Sequence, residues 1–186
     1  MTSKKKNPYK ILTALGLLII AVVIFAFSSS REIESAPIHT NPVDEVVQLD
    51  SSEIGLSVRD SIELFGKEFL GVPYIYGGTS KKGFDCSGFV YYVFNQFDIS
   101  VPRTSSQFGK FGKEVSIDSV KKGDILVFLS PTRNAIGHIG IVTDPKGMET
   151  EFIHASSGKE MQVMISSLKQ PNYNRRFVKA ISVLEE

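Results

Sequence analysis

The chain reads as an α+β protein, on three observations. Helical periodicities come first, at 58–70 and 85–97. A series of short strand-like segments follows without interruption from 124 to 183. The hydrophobic fraction of 42% and charged fraction of 22% are those of a soluble globular domain with one core.

The first helix is predicted over Val58–Leu70. Val58, Ile62, Phe65 and Phe69 fall at helical spacing, with Arg59, Asp60, Glu63, Lys67 and Glu68 on the other side. Gly71 and Pro73 stop it. Tyr74-Ile75-Tyr76-Gly77-Gly78 is a short extended piece running into a glycine turn, and Lys81-Lys82-Gly83 continues the loop. A second helix opens at Asp85 or Cys86 and runs to about Phe97. Its apolar positions Phe89, Val90, Val93, Phe94 and Phe97 are dense enough for burial. Val101–Gly112 is a loop or short helix, and Ser119–Gly123 a turn. Strands are predicted at Asp124–Leu129, Gly137–Thr143, Glu151–Ala155, Met161–Ile165 and Arg176–Val183. Each is rich in Ile, Val or Phe and bounded by turn-forming residues. About five strands in an antiparallel sheet are expected.

The 186 residues divide into three parts. Residues 1–30 hold four lysines and no acid, and an uncharged apolar run spans Ile11–Phe27. This is the pattern of a signal peptide or an N-terminal transmembrane anchor, with the lysines cytoplasmic and the rest outside. Residues 31–52, with Pro37 and Pro42 among polar residues, form a tether. The folded domain is expected over 53–186. An exported protein at the outer face of the cytoplasmic membrane, or released from it if the leader is cleaved, follows. Beyond residue 30 acids outnumber bases, so no nucleic-acid surface is expected. A monomer is expected.

Cys86 is the one cysteine, so no internal disulfide forms. A lone cysteine is ordinarily a buried, inert residue, and it needs reactive neighbours to be more. Of the three histidines, His39 falls in the tether. His138 and His154 sit within the strand patterns Gly137-His138-Ile139-Gly140-Ile141-Val142 and Phe152-Ile153-His154-Ala155. By strand alternation His138, Gly140 and Val142 share one face, opposite Ile139 and Ile141. A cysteine at a helix N-terminus meets the positive end of the helix dipole and free N–H groups, which favour a thiolate. An imidazole takes the thiol proton and returns it to a leaving amine. A second imidazole orients the first. Cys86 is the candidate nucleophile, His138 the base and His154 the orienting residue. One Cys and two His are also a conceivable zinc set, but the close ligand spacing of zinc motifs is missing. No metal or cofactor is expected.

Five blocks, in order, resemble the NlpC-type (NlpC/p-sixty) cell-wall cysteine peptidases. Gly71–Gly78 followed by Phe84-Asp85-Cys86-Ser87-Gly88-Phe89-Val90 is similar to the family's nucleophile region. Val101-Pro102-Arg103-Thr104-Ser105-Ser106-Gln107 resembles the loop after that helix. Lys122–Phe128 resembles the strand before the base, and Gly137–Ile141 and Phe152–Ser156 the two histidine strands. The resemblance covers about Leu56 to Val183. It implies a papain-like α+β fold and hydrolysis of the amide between γ-D-glutamate and diaminopimelate or lysine in peptidoglycan stem peptides. It also implies that Tyr74 supports the oxyanion or substrate, that Asp85 and Ser87 recognise the amino end of the stem, and that Arg103 lies near the cleft. Asp85 or Ser87 would equally serve as helix N-cap. The polar turn Asp144–Glu149 departs from the pattern and should only lengthen a hairpin. Two other functions share the fold: an amidase that removes the whole stem or cuts another γ-glutamyl amide, and a non-catalytic wall-binding protein.

Overall fold

The computed structural model describes residues 55–184. The apolar segment 11–27, the tether 31–52 and the domain start at 53 lie outside them. Among the described residues no helix is long and apolar enough to cross a membrane.

Helix α1 spans Val58–Lys67, opened by Ser57, whose hydroxyl accepts the Asp60 N–H. Its expected last turn is not α-helical. Phe69 and Leu70 bond to the carbonyls of Gly66 and Lys67 three residues back, and Gly71 reverses the chain at φ +83. That tightening satisfies carbonyls a helix end leaves open. A two-stranded hairpin, β1 (Thr79–Ser80) and β2 (Gly83–Phe84), leads into α2 (Cys86–Asn95). The segment after α2 contains a six-residue 3₁₀ helix, Ser105–Lys110.

The sheet has six strands rather than five. In spatial order they are β3 (Lys113–Val115), β8 (Phe177–Ser182), β4 (Ile125–Leu129), β5 (Ile136–Asp144), β6 (Glu151–Ala155) and β7 (Val163–Ser167). Every neighbouring pair is antiparallel. The unforeseen β3 is a three-residue edge strand with two charged residues, which carries no alternating signal. The strand expected at Met161–Ile165 lies two residues later. Met161 has φ +47, which no strand accommodates, while Ser166 and Ser167 pair with Phe152 and Glu151. A four-residue helix, α3 (Pro171–Asn174), precedes β8 and was not foreseen.

Both sheet faces are covered. On one, Ile125, Val127, Ile139, Ile141, Ile153 and Ile181 pack with Ile62 of α1 and Phe89, Val90, Val93 and Phe94 of α2. On the other, Leu126, Phe128, Val142 and Phe152 pack with Leu168 and Tyr173. Arg59 ties α1 to the sheet through Asp124 at 2.9 Å and the Lys122 carbonyl at 2.9 Å. Asp124 is buried, so removing Arg59 would strand a carboxylate away from water.

Candidate active site

The N-terminus of α2 positions Cys86. Asp85 is the N-cap, its carboxylate accepting the Gly88 N–H at 2.6 Å. The capping role therefore falls to Asp85 and not Ser87. Gly78 O accepts the Asp85 N–H at 3.0 Å and sits so close to α2 that a Cβ on Gly88 would lie 1.9 Å from it. The helix start is thus locked to the preceding glycine turn. The Cys86 thiol points to the carbonyl of Gly137 at 3.8 Å, one residue before His138 on β5.

His138 and His154 meet across β5 and β6. His138 Nε2 and His154 Nδ1 are 3.0 Å apart, and the rings stand edge to face. Gly140 makes this possible, since a Cβ there would press on Phe152 and on the Cβ of His154. Strand alternation holds: Val142 joins the second core face and Ile139 and Ile141 the first. The turn 145–150 lengthens the hairpin and leaves both histidines on their strands. On its far side, His154 Nε2 lies 2.9 Å from Ser166 Oγ and 3.3 Å from the Tyr173 hydroxyl. Phe128, Phe152 and Tyr173 surround the pair with aromatic faces and edges.

The hydrogen bonds restrict proton placement. Nε2 of His138 is engaged with His154, so Nδ1 is the nitrogen left to take a thiol proton. A bare Nδ1 requires a proton on Nε2, donated to His154 Nδ1. His154 then carries its proton on Nε2 and donates it to Ser166 Oγ. The two imidazoles and a serine hydroxyl form one directed chain. The mutual bond also spends on each other two nitrogens that a shared zinc ion would need.

Burial dominates the electrostatics. It lowers the pKa of His138 to about 3, with the Arg176 charge adding to the effect. His154 is lowered well below the ordinary value by burial, by His138 and by Arg176. Burial, with the Asp85 carboxylate, raises the Cys86 thiol, and nearby backbone N–H groups oppose this only in part. The thiolate expected from the helix terminus is therefore not the resting form. A neutral thiol faces a neutral imidazole, and proton transfer belongs to the attack itself.

A consequence for stability follows. A histidine depressed in the fold binds its proton more readily when unfolded. Its contribution is complete above the unfolded value near 6.5 and is lost as pH falls from there toward 3. In that window His138 alone steepens the loss by up to about 1.4 kcal/mol per pH unit. Urea unfolding of the protein at pH 7 and 4.5 should show a large drop in midpoint, and a smaller drop for His138→Gln. Equal drops would refute the assignment of a buried neutral imidazole.

A cleft of about 360 Å³ opens over this centre, lined by Tyr74, Cys86, Gly137, His138 and residues of α3 and the 156–158 turn. Tyr74 both lines it and packs on the core, with its phenol raised by burial. Asp85, Ser87 and Arg103 do not line this cleft and form a separate cluster. Arg103 grips Asp85 at 2.8 and 3.1 Å, Ser87 Oγ at 3.2 Å and Gly77 O at 3.0 Å. Ser166 and Tyr173 were not foreseen. A serine in a short strand and a tyrosine in a turn have no sequence mark until the fold sets them beside His154.

Relatives share this arrangement of elements. Residues 71–182 match the model of the NlpC/P60 family. The protein named murein DD-endopeptidase MepS/murein LD-carboxypeptidase of Escherichia coli (strain K12) is 30% identical over 183 residues, 94% of this chain and 93% of that protein. The gamma-D-glutamyl-L-lysine dipeptidyl-peptidase of Bacillus subtilis (strain 168) is 39% identical over 101 residues, 53% of this chain and 33% of that protein. A crystal structure of an NlpC/P60 family protein from Bacillus cereus ATCC 10987 superposes with TM-score 0.62 at 31% identity, over 69% of this chain and 41% of that one. With the family's match over most of the domain and its α+β fold in place, the chain belongs to the NlpC/P60 family.

Proposed function

We propose that the protein is a cysteine peptidase that hydrolyses amides in peptidoglycan stem peptides, with Cys86 as nucleophile, His138 as base and His154 as orienting residue. The observation that carries this is the series from Cys86, Gly137 and His138, which line an open cleft, to His154 and Ser166 buried behind them. In the attack, Sγ bonds to the amide carbon as its proton passes to His138 Nδ1. The imidazolium then delivers that proton to the departing amine, and water repeats the sequence on the thioester. We assign the oxyanion to N–H groups at the start of α2 and to the Tyr74 phenol, a reading supported by Tyr74 lining the cleft with Cys86. Asp85, Ser87 and Arg103 serve the substrate's amino end, with Arg103 donating to both carboxylate oxygens of Asp85 and so fixing its orientation.

The bond we propose is the γ-D-glutamyl amide to diaminopimelate or lysine, supported by the resemblance to the B. subtilis peptidase. A second reading, a cut at the following D-centre of the stem, draws support from the similarity to the E. coli protein along nearly its whole length. Incubating the full-length chain with purified muropeptides and weighing the products tests both, because each cut leaves a different mass. Intact muropeptides would overturn the peptidase reading. Residues 11–27 would hold the enzyme at the outer face of the cytoplasmic membrane, beside its polymer. Cell fractionation with and without that segment tests the placement.

Ser166 acts here as a positioning residue. Ser166→Ala removes the nearer acceptor for His154 Nε2–H in a buried site, leaving only the longer contact to the Tyr173 hydroxyl, and is expected to lower kcat by about tenfold, with KM little changed. Ser166→Thr, which restores a hydroxyl, should recover part of that loss. A fall in KM-dependent binding alone, or no rescue, would refute the role.

A further inference from the structure

We propose that the α3 end of the cleft is a carboxylate-binding subsite, in which Arg175 and Arg176 hold a free carboxylate of the substrate close to the scissile amide. The inference rests on the stem-peptide reading above and names what that cleft selects.

The charge balance of the cleft is one-sided. Both arginines line it, and no aspartate or glutamate does. Among the described residues neither forms an ion pair. Arg175 donates Nε–H to the Pro171 carbonyl at 3.1 Å. Arg176 donates Nε–H to the Asn172 carbonyl at 2.7 Å and Nη1–H to the Leu129 carbonyl at 3.0 Å. These bonds fix where the guanidinium groups stand without neutralising them. A guanidinium has five donors, and most of them stay available to a ligand. Arg103 is the contrasting case nearby, its charge met by Asp85. Cations seated by carbonyl oxygens and an aromatic face, with no carboxylate partner, in a concave surface, suit a planar bidentate anion.

Their place relative to the chemistry gives the charge a purpose. Arg176 lies over the Tyr173 ring at 5.2 Å, and Tyr173 packs against both catalytic-site histidines. An unpaired cation there opposes the imidazolium that must form on His138 during attack, and burial already opposes it. A carboxylate docked on the arginines cancels part of that opposition. An anionic substrate would thereby gain in turnover as well as in binding, and an uncharged analogue would gain neither.

A stem peptide offers two such groups. One is the α-carboxylate that a γ-glutamyl linkage leaves free, and the other is the chain-terminal carboxylate. The test uses the full-length chain and three synthetic stem peptides: the parent, one with the glutamate α-carboxylate amidated, and one with the terminus amidated. One amidation is expected to lower kcat/KM by about tenfold or more, the usual value of a charge-assisted contact, and so to identify the group. In Arg175→Gln and Arg176→Lys that ratio should fall toward one. Amidations that change kcat/KM by less than twofold, or a ratio unaltered in both variants, would overturn the subsite. Calorimetric binding of the same peptides to Cys86→Ala separates the two claims. Preference for the carboxylate without any cleavage by the intact enzyme would sink the peptidase reading and keep the subsite. Equal binding of all three would sink the subsite alone.

Discussion

Cys86→Ala is expected to reduce muropeptide hydrolysis by at least about 10⁴-fold, because Cys86 is the one thiol that lines the cleft with His138, and the hydroxyls of Ser156 and Ser157 are far weaker nucleophiles. The fold should survive. Cys86 is half-buried at a helix terminus, its thiol makes one weak contact to Gly137 O, and Asp85 and not Cys86 caps the helix. Unfolding midpoints within the range of an ordinary surface change, together with lost turnover, would separate chemistry from stability. Because the resting thiol is neutral, iodoacetamide should alkylate it slowly at neutral pH and faster as pH rises past the raised thiol value. Retained hydrolysis by the alanine variant would remove Cys86 from the mechanism altogether.

Gly88→Ala should cost the most stability of any single methyl added near the site. The new Cβ would fall 1.9 Å from the Gly78 carbonyl oxygen, a rigid backbone atom that itself accepts the Asp85 N–H. Relief requires α2 and the glycine turn to part. That breaks the lock that places Cys86 and strains the Asp85 cap at Gly88. A loss of about 3 kcal/mol is expected by overpacking, and a fall in melting temperature on the order of 10 °C for a domain of this size. Turnover should fall further than stability accounts for, because about 1 Å of misplacement at a reacting atom costs on the order of a hundredfold. A variant with wild-type melting and wild-type turnover would show that α2 is not pinned by this contact. The buried-imidazole prediction is independent of both, since it depends on the aromatic surroundings of His138 and not on the helix.

The α+β class, the antiparallel sheet and the bounds of β6 were legible because strand alternation and turn residues are local signals. So was the start of α2, marked by Asp85 ahead of an apolar helix. Helix ends were less so: α1 and α2 both finish in tighter turns two or three residues early, as their final N–H groups bond three residues back. The edge strand β3 escaped notice because it takes its partner from β8, some 65 residues later, and not from its own pattern. The shift of β7 arose from Met161, whose positive φ is set by the turn before it.

For the candidate site, the sequence by itself determined which groups have the chemistry: one thiol and two strand imidazoles, in the order and spacing of a known family. What only the tertiary structure decided is how they act. Pairing β6 beside β5, with glycine at 140, sets His138 against His154 and leaves Nδ1 as the working nitrogen. Closing the second core over them makes both imidazoles neutral, and burial of Cys86 beside the Asp85 carboxylate keeps its thiol neutral too, against the thiolate that a helix terminus alone suggests. Bringing β7 and α3 alongside adds Ser166 and two arginines with no acid to balance them. The reason is general. Residue types and local periodicity are written along the chain, whereas burial, proton placement and unpaired charge depend on groups that only folding brings within a few ångströms of one another.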